Sequence, residues 1–295
     1  MARRPNPVLT RLLIPLLFLY PTLPAAAEPT NPFQEVRSPF EGDPRAIGDY
    51  SRGCLQGAKA LPLDGPGYQV MHPERVRYYG HPHLVDFIQN LAAEYAQQGH
   101  GVLLIGDLSQ PRGGKAKGGH ASHQSGLDVD IWYWHPPRAR TRALTRKERR
   151  EVGARSVLNG KTGTVRSQAQ AGVFAALKIT ASDPRVERIF VHPIIKRDLC
   201  SHYPTPPAWL RKVRPWYGHD DHFHVRLACP DTSEACQAQQ PVPAGHGCNR
   251  LAWWFDEQAQ ADRRKARKRY QGKVREQRRW PQTCDHLVPN TTRGD

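Results

Sequence analysis

The chain has 295 residues, 38% of them hydrophobic and 24% charged, and its formal net charge is +16 at pH 7. This hydrophobic content is enough for a folded core, so the composition excludes an intrinsically disordered protein. The excess of positive charge makes a polyanionic partner plausible.

Residues 1–27 have the features of a secretory signal peptide. Arginines precede and flank an apolar segment at 12–20, and a run of small residues follows it. The segment is much shorter than the roughly 20 residues that a membrane span needs, and it contains Pro15. We therefore expect cleavage after Ala27, export to the periplasm, and a mature domain at 28–295 that has no transmembrane anchor.

Six cysteines, all beyond the predicted signal peptide, are consistent with export. An even number of cysteines in an oxidising compartment indicates disulfides, although the sequence does not choose among the possible pairings. Cys229 and Cys236 flank a short loop and form the easiest local pair. Cys54 and Cys284 lie near the two ends of the chain and could connect them. No two cysteines have CxxC spacing, so we do not expect cysteine-bound zinc.

The first half of the mature chain combines an irregular start with one helix and two strands. Residues 28–49 are rich in Pro, Gly and Asp and predict a loop or loosely docked lead-in. Apolar residues recur at helical spacing between Pro82 and Gly99 and predict the first helix. A buried strand is predicted at 102–105. A second, half-buried strand is predicted at 127–132, with its carboxylates on one face and its aliphatic residues on the other.

Between these two strands lies a glycine-rich loop at 111–119, with four glycines and two lysines. It lacks the phosphate-loop pattern GxxxxGK[ST], so we do not interpret it as a nucleotide site. We interpret it as a flexible loop that lets the backbone come close to a site and delivers the histidines that follow.

The second half predicts one more helix and two more strands. In chain order these are a basic, turn-rich excursion at 138–165, a helix at 168–181, a strand at 188–192, a Pro/Trp-rich linker at 203–218 and a strand at 222–227. The alternation of short strands with two helices predicts an α+β fold. We expect a single domain with a central antiparallel sheet, flanked by helices and long loops, and a zinc site on the sheet face.

Positive charge is concentrated in two segments, with seven basic residues at 138–150 and ten at 263–279. The second lies in a basic C-terminal extension of the domain, at about 256–295. Such segments are most often solvated faces or tails. The alternative is contact with an anionic cell-envelope polymer or with nucleic acid.

Histidines and aspartates cluster at 119–130 and again at 219–224. Catalytic zinc takes three protein ligands, commonly imidazole nitrogen and carboxylate oxygen, plus a water. His123, Asp130 and His224 supply such a set, because the last two lie on the polar faces of two predicted strands. His222 and His224 are two residues apart on one strand, so both imidazoles point to one face, about 7 Å apart. One of them can bind a metal while the other faces the water molecule or substrate that the metal activates.

The pattern HxxxxxxD at 123–130, followed by HxH at 222–224, resembles the signature of the zinc peptidases that include lysostaphin-type and D-Ala-D-Ala peptidases. Segments 119–130 and 218–226 resemble, almost residue for residue, the penicillin-insensitive murein endopeptidase family. The resemblance covers nearly the whole mature chain. It implies a periplasmic zinc endopeptidase that hydrolyses the D-alanyl to meso-diaminopimelyl bond in peptidoglycan.

The resemblance also implies roles for individual residues. His123, Asp130 and His224 are the expected zinc ligands, and His120 is either a further ligand or a hydrogen-bonding partner of one. His222 would orient or deprotonate the zinc-bound water or stabilise the tetrahedral oxyanion, and His219 would assist at the rim.

Other residues near the expected site have open interpretations. Asp128 either orients a histidine or is an ordinary surface carboxylate, and Asp220 and Asp221 have the same two interpretations. Four aromatic residues either line a groove for glycan or peptide or belong to the core, and aromatic residues near a sheet are more often core: Trp132, Trp134, Trp216 and Tyr217.

The resemblance further implies disulfides between Cys54 and Cys284, Cys200 and Cys248, and Cys229 and Cys236. Members of the family can carry an Asp-x-x-His pair, proposed as a second metal site, after the first motif. The corresponding region of this chain, 159–162, has no such pair, so we expect one zinc and not a second.

Two other functions are compatible with parts of the sequence. An exported metal-dependent nuclease or phosphoesterase is suggested by the basic segments and predicts salt-dependent binding of nucleic acid. A non-catalytic wall-binding module is suggested by the metal ligands alone, but structural zinc normally has four closed protein ligands. We favour the endopeptidase, with peptidoglycan as its substrate and no nucleic-acid partner.

Overall fold

The computed structural model describes the backbone of residues 31–118, 121–274 and 280–288, and the side chains of all of these except 266–274. The predicted signal peptide, at 1–27, and the end of the predicted C-terminal extension lie outside the described residues. The described residues belong to one compact unit.

Six α-helices and thirteen strands, most of them short, are found among the described residues. The α-helices are α1 (Pro82–Gln97), α2 (Arg146–Glu151), α3 (Ser167–Ser182), α4 (Pro193–His202), α5 (Ala252–Phe255) and α6 (Glu257–Val274). The strands are β1 (Arg45–Asp49), β2 (Arg52–Gln56), β3 (Lys59–Ala60), β4 (Asp64–Gly65), β5 (Tyr68–Val70), β6 (Tyr79–Gly80), β7 (Leu103–Ile105), β8 (Asp128–Trp132), β9 (Leu158–Asn159), β10 (Thr164–Val165), β11 (Val186–Val191), β12 (Val213–Pro215) and β13 (His222–Leu227).

Helix α1 confirms the helix predicted between Pro82 and Gly99. Pro82 is its first residue, where a missing N–H is tolerated, and the His81 imidazole accepts from the His83 N–H at 3.2 Å and caps the helix. At the other end, Gly99 has φ 78°, the left-handed conformation that ends many helices. The residues at helical spacing form the buried face: Leu84, Val85, Phe87, Ile88, Leu91, Ala92 and Tyr95.

Helix α3 confirms the second predicted helix. It packs against α1 and against strand β11, so the two long helices share the main core with the sheet. No helix among the described residues is both long enough and apolar enough to cross a membrane.

Seven strands form the main sheet, in the order β12-β11-β13-β8-β7-β5-β4. The four middle strands pair antiparallel with one another, which confirms the predicted antiparallel centre and the α+β class. The pairs β11–β12 and β5–β7 are parallel, so the sheet as a whole is mixed. Parallel neighbours need a crossover connection, and helices α4 and α1 lie in the connections of these two pairs.

Some elements lie where the sequence predicts irregular structure. Strand β1 forms a hairpin with β2, so the prediction of a loop at 28–49 is wrong for the last five residues of that range. Strand β12 lies inside the predicted linker at 203–218 and pairs with β11. Both are short, and they are stabilised by strand pairing that leaves no periodic pattern in the sequence.

The three disulfides implied by the family resemblance are present: Cys54–Cys284, Cys200–Cys248 and Cys229–Cys236. The first of them joins strand β2 to the described C-terminal segment and is buried in a small apolar cluster. In the turn between β1 and β2, the Tyr50 carbonyl accepts from the Gln124 N–H at 3.2 Å, next to His123. This disulfide therefore anchors a hairpin that supports the glycine-rich loop.

The basic segment at 138–150 is partly used in the fold itself. Arg149 is buried and donates to three backbone carbonyls. Arg138 and Arg142 both contact the Glu148 carboxylate at 2.7 Å. Three of the seven basic residues of this segment therefore have a role in the fold.

Candidate metal centre

Two central strands present a row of polar side chains on one face of the sheet. In the antiparallel register of β8 and β13, Asp130 lies opposite His224, and Asp128 lies opposite Arg226. Successive strand residues point to opposite faces, so these four side chains share a face. The aliphatic and aromatic residues between them are buried in the core, as predicted: Val129, Ile131, Phe223 and Val225.

Strand β8 is more deeply buried than the sequence predicts. Asp128 is 0% exposed and Asp130 is 4% exposed, although alternation with polar residues is typical of a half-buried strand. The reason is that His123 and its loop cover the polar face, with the His123 backbone and ring in contact with these two carboxylates.

His123 reaches this face from the end of the glycine-rich loop. Its φ is 68°, in the left-handed region that residues other than glycine rarely adopt, and its N–H donates to Asp128 Oδ2 at 3.2 Å. Earlier in the loop, Gly113 has φ 69° and lies so close to Gln124 that a Cβ would be 2.1 Å from the Gln124 carbonyl oxygen. This close contact agrees with the predicted role of the loop, in which glycine lets the backbone approach the site.

His123, Asp130 and His224 converge on one point. One possible ligand atom from each lies within 4.8 Å of the other two. Asp130 Oδ1 is 3.4 Å from His123 Nε2 and 3.1 Å from His224 Nδ1, and the two imidazole rings meet edge to face with centroids 4.7 Å apart. Two imidazole nitrogens and one carboxylate oxygen are a donor set that catalytic zinc takes, so these residues fit the metal expected from the sequence.

Asp128 contacts both histidines of this cluster. Its Oδ1 accepts from His224 Nε2 and from Arg226 Nε, each at 2.7 Å, while its Oδ2 accepts from the His123 N–H. The contact at Nε2 leaves Nδ1 of His224 directed at Asp130. Histidines that bind metals usually donate their other ring N–H to a carboxylate or carbonyl, which fixes the tautomer. Of the two interpretations of Asp128, the structure favours the one in which it orients a histidine.

Burial and neighbouring charges have opposite effects on the pKa values in the cluster. Burial lowers the pKa of His123, but the carboxylates of Asp130, Asp128 and Asp107 together outweigh burial and raise that pKa to about 9. Burial raises the pKa of Asp128, but Arg226, His224 and His123 together outweigh it, and the pKa lies below its usual range. Burial also raises the pKa of Asp130, but the neighbouring His123, His222 and His224 together outweigh it and hold that pKa well below its usual range. The two buried carboxylates therefore stay ionised and attract a cation.

Two further histidines lie at the rim of the cluster. His222 donates from Nδ1 to Asp221 Oδ1 at 2.6 Å, and its Nε2 is 3.7 Å from Asp130 Oδ1. The His219 ring lies 5.0 Å from the His222 ring and 6.0 Å from the His224 ring. Burial and repulsion from these two rings lower the pKa of His219 to about 4, so it is neutral at pH 7.

The structure thus brings five of the six predicted site residues together, and His120 lies outside the described residues. It also adds two that the sequence analysis does not single out. Arg226 lies two residues after His224, so the strand period places both on one face and is the signal that could have identified it. Phe190 has its ring 5.4 Å from the His224 ring, but it comes from β11, and no local pattern connects it to the site.

A buried cluster of two histidines and an aspartate, with two more imidazoles at its rim, defines a candidate metal-dependent hydrolase centre on an α+β fold. Residues 46–289 match the family model described as penicillin-insensitive murein endopeptidase. The chain belongs to this family of peptidases, and the matched range includes every residue of the candidate centre.

Proteins described as penicillin-insensitive murein endopeptidase are similar to the chain over most of its length. The one from Klebsiella pneumoniae is 44% identical over 227 residues, which cover 77% of this chain and 82% of that protein. The one from Escherichia coli O157:H7 is 44% identical over 228 residues, with the same coverage. The one from Escherichia coli K12 is 43% identical over 234 residues, which cover 79% of this chain and 84% of that protein.

Proposed function

We propose that the protein is a zinc-dependent endopeptidase that hydrolyses D-alanyl to meso-diaminopimelyl cross-links of peptidoglycan in the periplasm. The observation that carries this proposal is the convergence of His123, Asp130 and His224 in a member of the murein endopeptidase family. Peptidoglycan is the substrate that the descriptions of the family and of its curated members indicate.

His123, Asp130 and His224 would hold one zinc ion. When bound, zinc lowers the pKa of a water molecule to about 7 and polarises the carbonyl of the scissile peptide bond. Hydrolysis of this kind needs no acylated serine, so a β-lactam that acylates serine is not expected to inhibit the enzyme. Neither Ser122 nor Ser125 lies in an SxxK or GxSxG pattern, in agreement with this mechanism.

Asp128 prepares the two histidines for the metal. An ionised carboxylate only accepts hydrogen bonds, so its contact with His224 keeps the proton on Nε2 and leaves the Nδ1 lone pair for a ligand bond. Its contact with the His123 N–H holds the left-handed backbone at that residue. The set of ligands is therefore arranged before the metal binds.

His222 is the residue best placed to handle a proton. Asp221 accepts from its Nδ1, so a neutral His222 presents Nε2 as an acceptor, 3.7 Å from the Asp130 carboxylate. Its side chain is 17% exposed and borders both the cluster and solvent, where a substrate would lie. These contacts support proton transfer or oxyanion stabilisation by His222, with His219 assisting at the rim.

Export to the periplasm is supported by the predicted signal peptide at 1–27 and by three disulfides, which form in oxidising compartments.

We further propose that the basic extension at 256–295 contacts the anionic cell wall. A variant in which glutamine replaces the lysines and arginines at 264–279 tests this role, because it keeps Cys284 and its disulfide. We expect weaker pelleting with sacculi, and unchanged pelleting would contradict it.

Digestion of purified cross-linked muropeptide dimers tests the proposed activity. The zinc-loaded protein is expected to cleave them, a chelator to stop cleavage, and zinc to restore it. His224→Ala is expected to be inactive. The matched control is His286→Ala, an exposed histidine that hydrogen-bonds Gln56 outside the centre, and it should remain active.

Intact dimers with zinc-loaded protein, or equal cleavage by His224→Ala, would refute the proposal. The two other functions give different results in the same experiment. A metal-dependent nuclease would digest nucleic acid and leave the dimers intact, and a wall-binding module would bind sacculi without cleaving them.

A further inference from the structure

A group of four aromatic rings, three of them exposed and the fourth half-buried, lies beside the candidate metal centre. It consists of Trp216, Tyr217, Trp253 and Trp254, which we call the aromatic surface. Trp216 is 47% exposed, Tyr217 38% and Trp253 45%. Single exposed apolar residues are normal, but several large rings exposed side by side mark a surface that binds something.

The aromatic surface is a connected structure built from two distant parts of the chain. The Trp254 ring lies in the middle, 6.2 Å from Trp216, 5.5 Å from Tyr217 and 5.0 Å from Trp253. Arg263 of helix α6 lies over the rings, with its guanidinium carbon 4.4 Å from Trp216 and within 6.0 Å of the other three. These contacts arrange the rings before any ligand binds, which reduces the entropic cost of binding.

The aromatic surface is continuous with the candidate metal centre. His219 Nδ1 lies 3.2 Å from the Trp216 carbonyl oxygen and 3.1 Å from that of Tyr217. On the other side, the Phe190 ring lies 6.0 Å from Trp216 and 5.4 Å from His224. A large substrate whose reacting bond lies at the centre would therefore extend over these rings.

We propose that the aromatic surface binds the glycan strand of peptidoglycan next to the cross-link that is cleaved. This inference rests on the proposed function, because the stem peptides of a peptidoglycan substrate are attached to sugar rings. The faces of these sugars display C–H groups that pack on aromatic rings, and their hydroxyl and acetamido oxygens can accept from the indole N–H groups. Exposed Arg264 and Lys265, next to Arg263, add positive charge that suits the carboxylates of the wall.

Glycan strands freed of their peptides by an amidase are the probe that tests this proposal. Their binding to the full, zinc-loaded chain is measured by calorimetry and by quenching of tryptophan fluorescence. Trp253 is the ring to change, because Trp216 contacts Phe190 and through it approaches the centre. We expect Trp253→Ala to bind the strands about fivefold or more weakly, and Trp253→Phe to keep most of the affinity.

The matched control is Leu63→Ala, which should bind like the wild type. Leu63 is 39% exposed and precedes β4, at the opposite edge of the sheet from β12 and Trp216. Circular dichroism of each variant checks that the fold is retained, and the phenylalanine variant provides a second comparison if the alanine variant unfolds.

Three results would overturn the inference: no binding of strands by the wild type, equal binding by Trp253→Ala, or binding of peptide-bearing strands alone. The last would show that the rings take stem peptides. Cleavage of sugar-free cross-linked peptide dimers by the wild type is measured in parallel. Cleavage without strand binding refutes the glycan surface and leaves the proposed function standing, whereas loss of both refutes both.

Discussion

Asp128 is the side chain through which a very small chemical change should disturb the metal centre. Asp128→Asn keeps the size of the side chain and removes its charge. The amide nitrogen would take the place of either Oδ2, which accepts from the His123 N–H, or Oδ1, which accepts from both His224 Nε2 and Arg226 Nε. At least one buried donor would lose its acceptor, and Arg226 would lose its ionic partner.

The size of the effect follows from the burial of this contact. Asp128 is 0% exposed, and removing one partner of a buried ion pair typically costs about 3–5 kcal/mol, because the other charge is left uncompensated. Arg226 keeps its hydrogen bond to Gln239 and its position over the Tyr50 ring, so we expect the lower value, about 3 kcal/mol, for the metal-free protein. Loss of a carboxylate that orients a metal-binding histidine weakens metal affinity about 10–100-fold.

Two assays measure these effects separately. Urea unfolding of the metal-free protein with its disulfides intact gives the free energy of unfolding, and competition with a chromophoric chelator gives the zinc affinity. The control is Asp86→Asn, since Asp86 forms an exposed ion pair with Lys59 at 3.4 Å, and such a pair is worth about 0–1 kcal/mol. Wild-type stability and zinc affinity in Asp128→Asn would refute the role of Asp128 in positioning the histidines.

Three further predictions concern the support of the centre and the core. Replacing Cys54 and Cys284 by serine removes a disulfide with a sequence separation of 230, so the free energy of unfolding measured with urea should fall by about 5 kcal/mol. Removal of Cys229–Cys236, with a separation of 7, should lower it by about 2.5 kcal/mol. Gly113→Ala should destabilise the protein by about 2–3 kcal/mol and weaken zinc binding. Gly160→Ala should change neither, because a Cβ at Gly160 would have no atom within 4 Å. Equal melting temperatures of the two variants would contradict this prediction. Burial lowers the pKa of Lys196 to about 7 from the usual 10.5, so between these values the unfolded chain binds an extra proton at this residue and the Lys196 contribution to stability should grow with pH. Because the raised pKa of His123 acts in the opposite direction, the quantity to measure is the free energy of unfolding of the wild type minus that of Lys196→Met, which should increase from pH 7 to pH 9.

The elements with a clear period could be predicted from the sequence. Helices α1 and α3 have apolar residues at helical spacing, and α1 also has Pro82 and Gly99 at its ends. Strands β8 and β13 alternate strictly, so the sequence determines which of their side chains share a face, including Asp130 and His224. The donor types at these positions also fit a metal site, since zinc takes imidazole nitrogen and carboxylate oxygen.

Which strands are neighbours, and which loop covers them, depends on contacts between distant parts of the chain. The register that places Asp130 opposite His224, the fold of the glycine-rich loop that brings His123 onto them, and the approach of Phe190 from β11 all depend on residues far apart in the chain. The position of Arg263 over the rings of Trp216 and Trp254 also depends on segments that are far apart in the chain. The periodicity of a segment predicts the face on which each side chain lies. It does not predict which distant side chain lies beside it, because that contact depends on how the whole core packs.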